Sequence, residues 1–135
     1  MGTFNQDIIL IFKLGFLAYL LDILTAKDLY KNCKYPITNQ IELYLHHVLY
    51  IFSLTGWLSN NKKVLKLYVL ITSMFIIHWY FNDNKCAFTE MTKKQCDINE
   101  PLRNPIRLLG FRDEKRYMQL IVYCSTILYS LYKIN

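Results

Sequence analysis

Hydrophobic positions along this 135-residue chain gather into four blocks, at residues 8–24, 41–58, 64–81 and 117–132, with polar, lysine-bearing segments between them. Each block approaches the ~20 residues that carry a helix across a ~30 Å hydrocarbon core. The first holds the charges Lys13 and Asp22, the second holds the adjacent pair His46 and His47, the third is the cleanest, and the fourth is short and rich in tyrosine. Within the blocks apolar residues surround the helix rather than forming one stripe, and a soluble chain of this size has too little interior to bury four such helices. The pattern therefore predicts an all-α fold: a four-helix transmembrane bundle forming one integral membrane domain over residues 1–135.

The polar segments add detail. Ser59, Asn60 and Asn61 are expected to stop the second helix ahead of Lys62 and set helices two and three as a tight antiparallel hairpin. Thr38 or Asn39 is the expected cap of the second helix. In the long third loop, Thr92 with Gln95 has the capping-box spacing of a short helical turn. Further on, Asn104 and Pro105 have the form of a helix start and Gly110 of a helix end. Leu102, Ile106 and Leu109 then share one face, flanked by Arg103 and Arg107, which suits a short amphipathic helix lying among anionic lipid headgroups. A loop helix packed over the mouth of the bundle is the alternative.

Charge changes the picture by its distribution more than by its net value of +6. Eleven of the sixteen basic residues fall in loops 25–40 and 82–116, which the positive-inside rule places in the cytosol with both termini opposite. Cys33, Cys86 and Cys96 lie on that same side and Cys124 in the last helix. A cytosolic side keeps such thiols reduced, whereas a lumenal side would suit a Cys86–Cys96 disulfide. The first block lacks a preceding basic stretch and a following small-residue cleavage site, and so reads as a retained helix. Glycine-rich phosphate loops, nucleophile elbows and zinc-protease patterns are absent from the sequence. The basic residues sit beside the spans without an exposed aromatic platform, which favours lipid over nucleic acid as partner.

The candidate chemistry lies in the histidines. Taken as antiparallel, the second and third helices bring His46, His47 and His78 toward one membrane face, along with Asp22, Glu42 and Cys86. An ionisable residue in a span is costly and so is a functional-site hypothesis by default. Adjacent His46 and His47 point ~100° apart on a helix, so only one of them faces His78. Imidazoles from facing helices, with Asp22 or Cys86, would form a metal site of His47, His78, Asp22 and Cys86. Two such histidines would also suit haem, and carboxylate with imidazole would suit a proton relay. Against these stands the plain reading of the histidines as anchors at the membrane interface, with Trp79 and Tyr80 beside His78.

From His47 onward the layout resembles a family of small four-helix bacterial membrane proteins of unknown function. The resemblance rests on His47, Phe52 and Gly56 (His-x4-Phe-x3-Gly), on His78-Trp79 in the third helix, and on Cys86-Ala87-Phe88-Thr89 with Glu90 and Arg103 beyond. The family's Cys-x-Leu-Thr stretch has proline where Ala87 stands and leucine where Phe88 stands. The likeness implies no activity, but it marks His47, Cys86 and Thr89 as positions with shared structural meaning. The richness in Asn, Lys, Ile and Tyr is also similar to membrane proteins of large DNA viruses and AT-rich protists. These readings place first a multi-pass membrane protein with a structural, assembly or interaction role, in contact with lipid and with a protein partner or a second copy. A histidine-centred metal or haem site for redox chemistry comes second, and a small proton-coupled transporter or channel third.

Overall fold

The computed structural model describes residues 3–25, 36–82, 86–96 and 116–135. They form five α-helices and no strand. In chain order these are α1 (Phe4–Thr25), α2 (Pro36–Thr55), α3 (Lys62–Phe81), α4 (Ala87–Cys96) and α5 (Arg116–Ile134), with a 3-10 turn at Gly56–Leu58 after α2. The candidate headgroup segment around Leu102, Arg103, Ile106, Arg107 and Leu109 lies outside the described residues.

The four long helices contain the four apolar blocks, with shifted boundaries. Helix α2 begins five residues earlier than its apolar block, at Pro36. Proline suits the first helical position, where its missing N–H would have had no partner. Thr38 and Asn39 are consequently inside the helix and do not cap it. At the other end α2 stops at Thr55, and Gly56 begins the turn packed under Phe52 and Tyr68: a Cβ there would lie 2.7 Å from the Tyr68 ring. Asn61 caps α3 as an extended residue whose side chain accepts a hydrogen bond from Lys63 N at 2.9 Å. In the third loop, α4 starts directly after Cys86, so Thr92 lies in the middle of the helix and is buried rather than serving as a cap.

The most extensive packing is between α1 and α2 and between α3 and α5. Gly15 allows the first: a Cβ at this position would come within 2.6 Å of Val48 Cγ2 and 2.7 Å of Val48 Cα. A small residue that lets two backbones approach is a recurrent device between apolar helices. The core centres on Ile11, Val48, Phe52, Val64 and Tyr68, drawn from α1, α2 and α3. Tyr68 then joins three helices, donating to the Ser53 carbonyl of α2 at 3.3 Å and sharing a 2.7 Å hydrogen bond with Thr126 of α5. Tyr123 of α5 completes the set by hydrogen bonding to Ser53 Oγ at 3.3 Å.

One end of the bundle gathers both chain ends and the α2–α3 turn. Ser59 donates to the Asp7 carboxylate of α1. Lys133 of α5 donates to the Ser59 carbonyl at 2.8 Å and to Asn60 Oδ1 at 2.9 Å, and Lys62 reaches the Ile134 carbonyl at 2.8 Å. The opposite end carries α4, which packs against α2. The antiparallel order expected of the long helices is therefore formed.

Replacing Gly15 with Ala is expected to lower the thermal unfolding midpoint. The added methyl meets Val48 backbone, which cannot turn aside, and overpacking of this kind costs ~1–3 kcal/mol. That outweighs the ~1 kcal/mol of helix propensity gained. Trp57 and Trp79 fluorescence during heating in detergent measures the change, and an unchanged or higher midpoint would show that α1 and α2 do not meet at this residue.

A histidine cluster at the α4 end

The side chains buried against α2 at the α4 end are mostly polar. Asp22 is 5% exposed, His47 2% and Asn39 0%, while the neighbouring outward positions Leu24, Ile37 and Ile41 are exposed. Because α2 starts at Pro36, His47 lies eleven residues into the helix, ~16 Å along its axis at 1.5 Å per residue. This is deeper than the apolar block alone indicates. Asp22 comes from the last turn of α1, and its Oδ2 is 3.6 Å from His47 Nε2. Tyr19, one turn before Asp22, sets its ring edge-on to His47 and hydrogen bonds to Gln40 of α2.

Geometry constrains the protons of this pair. His47 Nδ1 lies 2.8 Å from the Leu43 carbonyl, which only accepts, so Nδ1 carries hydrogen. The other ring nitrogen then faces a carboxylate. At 3.6 Å this is a close electrostatic contact rather than a hydrogen bond.

A second pair lies beside it. His46 Nδ1 is 3.7 Å from Cys86 Sγ, and the His46 ring meets the His47 ring edge-on at 5.8 Å between centroids. Cys86 immediately precedes α4, and its carbonyl accepts from Glu90 N at 3.0 Å, which fixes it at the start of the helix. Ala87 N, next along the chain, donates to His78 Nε2 of α3 at 3.3 Å. Thr92 and Cys96, one helical turn apart, form the buried side of α4, with Glu90, Met91 and Lys94 exposed. Cys96 is disulfide-bonded, whereas Cys86 and Cys124 are free thiols. Neither cysteine reading of the sequence describes this: the basic side is not wholly reduced, and Cys86 is not the partner of Cys96.

The structure thus brings together most residues that the sequence singled out, but in different pairs. His47 pairs with Asp22 of α1 rather than with His78, Cys86 pairs with His46, and His78 accepts from the α4 backbone. Among the described residues no three His, Cys, Asp or Glu side chains converge as metal ligands. The set His47, His78, Asp22 and Cys86 is accordingly split between two neighbouring sites. His46, which the facing-pair argument set aside, is the partner of the thiol. The Thr89 side chain lies outside the described residues. Nothing in the sequence marked Tyr19 and Gln40, which carry no charge at neutral pH and meet across two helices only after folding.

Comparison with known proteins finds no matching family model, no similar curated protein and no similar solved structure.

The Asp22–His47 pair should behave as one unit in unfolding experiments. Asp22→Leu leaves a buried imidazole without its acidic partner and is expected to cost ~3 kcal/mol, the scale of breaking a buried ion pair. Changing His47 to Phe in the same chain should recover part of that loss. Double-mutant analysis of denaturant unfolding checks it, with a coupling of ~1 kcal/mol or more expected for groups in contact. Simple additivity would show the two side chains to be independent.

Proposed function

We propose that this chain is a multi-pass integral membrane protein that crosses the bilayer four times, with α1, α2, α3 and α5, and that acts through structure and interaction within the membrane. The observation that carries this reading is the reversed distribution of side chains. Large apolar residues such as Ile9, Leu10, Leu17, Leu70, Met74, Ile121 and Leu128 cover the outside, while Asp22, Asn39, His47, Ser53, Thr72 and Ser130 are buried.

Two helices, α1 and α3, are long and apolar enough to cross a membrane. Only 17% and 22% of their apolar stretches are buried, so they lack the coverage a core helix of a soluble protein receives. The apolar part of α5, Leu120–Ile134, is shorter, and α2 carries more polar residues. Part of their polar complement is turned inward, however: Asn39, His47 and Ser53 in α2, and Tyr123 and Ser130 in α5, are buried. At 1.5 Å per residue, the 20 residues of α2 and 19 of α5 reach ~30 Å and ~28 Å. Both lengths suit a hydrocarbon core. Satisfied polar groups inside and apolar groups outside are what a lipid-exposed helix requires.

In this reading the α4 end faces an oxidising compartment, opposite to the side that the lysine and arginine count indicates. The charge rule is a statistical bias of insertion, whereas the Cys96 disulfide needs an environment in which it persists. The two grooves between α1 and α2, ~290 and ~420 Å³, are open to the outer surface and lined by residues such as Phe12, Phe16 and Tyr44. They offer lipid chains a place to pack rather than a path across the bundle. This favours a structural or interaction role over transport.

Alkaline carbonate should leave the protein in the membrane fraction. Topology reporters at the 59–61 turn and the C-terminus should lie on one side of the membrane, and a reporter beside α4 on the other. Release by carbonate, or all reporters on one side, would overturn the four-span reading. Maleimide-polymer labelling checks the orientation: Cys96 should label only after reduction, and labelling without reductant would reverse it.

A further inference from the structure

Cys86 and His46 form a site that neither the packing of the bundle nor its membrane reading requires. The thiol comes from the segment before α4, the imidazole from the middle of α2, and the two atoms lie 3.7 Å apart. Both residues are half-buried, so the sulfur is held without being sealed off. Behind His46 stands the His47 ring, and behind that the Asp22 carboxylate, giving a file of thiol, imidazole, imidazole and acid that draws on three elements. Beside it His78 accepts from the neighbouring Ala87 amide, and the Glu90 amide donates to the Cys86 carbonyl. Among the described residues no second thiol lies close enough to bond with Cys86: Cys96 is at the far end of the ten-residue α4, ~15 Å away at helical rise.

From this geometry we propose that Cys86, with His46 as its base, is a thiol–disulfide exchange site that takes a disulfide from outside the chain. His46 Nδ1 accepts the thiol proton, and the sulfur then attacks one sulfur of the incoming disulfide. The new Cys86 disulfide forms as the old S–S bond breaks. Its electron pair leaves on the departing thiolate, which takes the proton back from His46. One thiol and one disulfide are present before and after, so the step needs no further oxidant. A thiol beside a base, at an end of the bundle where Cys96 is already oxidised, has the chemistry for this exchange. Cys86 directly precedes α4 and is half-buried, so its sulfur is accessible from outside the chain.

The test uses the full chain in detergent with Cys124 changed to Ala, which removes the other free thiol among the described residues, and an aromatic disulfide, dithiobis(nitrobenzoate), as probe. Release of the coloured thiolate gives the rate, and a Cys86→Ser variant gives the background to subtract. At pH 7 the His46→Gln variant should react roughly a hundredfold more slowly, the lower end of what a positioned base contributes. At pH 10, where thiolate forms without help, the two rates should converge. Equal rates at pH 7, or an equal deficit at both pH values, would overturn the proposal. If His46→Gln loses its helical circular dichroism, the unmodified His46 protein still decides the matter. Its Cys86 should react at least as fast as a free cysteine derivative at pH 7, and slower reaction would mark an inert, shielded thiol. Glutathione disulfide and a disulfide-bonded peptide then distinguish the source, since an adduct with either supports the site and an adduct with neither overturns it.

Discussion

Polar side chains on helices whose outer faces are apolar have only the space between helices in which to be satisfied, and the whole bundle is arranged around that constraint. Tyr68 is its clearest expression. It is fully buried on α3, and its hydroxyl joins the Ser53 carbonyl of α2 to Thr126 of α5. A leucine there would fill the volume but would bind three helices no more tightly in one register than in another. Ser53 and Tyr123 extend the same net, and Ser130 and Thr126 return their hydroxyls to carbonyls one turn back. Such bonds are individually small, ~1 kcal/mol net each. Their value lies in specifying which helices meet and at what height.

The two ends of the bundle resolve the same constraint in different ways. At the end holding both termini, charged and polar groups are exposed or half-buried and simply tie strands of chain together, as Lys133 does with Ser59 and Asn60. At the α4 end the groups lie deeper. Asp22 and His47 face each other in a nearly sealed space, and α4 brings Cys86 and an amide against His46 and His78. The first end is explained by holding the chain in place. The second places titratable groups where their desolvation is costly, and so it is the part of the molecule where a thiol site has a physical footing.

How legible this was in the sequence differs from residue to residue. The existence and order of the four long helices followed from the apolar blocks, because burial from water is read directly from side-chain type. Helix boundaries followed less well: Thr38 and Asn39 looked like caps, yet both lie inside α2, which begins at Pro36, and Thr92 looked like a cap, yet it is a buried mid-helix residue. In each case a local signal competed with a tertiary contact and lost. Clustering of Asp22, Glu42, the histidines and Cys86 toward one end was visible from span order alone. Their pairing was not, since it depends on helix rotation, and a turn of one residue moves a side chain by ~100°.

By itself, the sequence determined that this is an all-helical protein with apolar helices long enough to span a membrane and with ionisable groups gathered near one end. Those properties depend on side-chain chemistry and on distance along the chain, which are written residue by residue. Only the tertiary structure decided that Gly15 sits on Val48, that His47 belongs to Asp22, that Cys86 belongs to His46, and that Cys96 rather than Cys86 is oxidised. These are meetings between residues up to forty positions apart. They are set by how closely two helices approach and how each is rotated, and no periodicity within a single helix encodes either quantity.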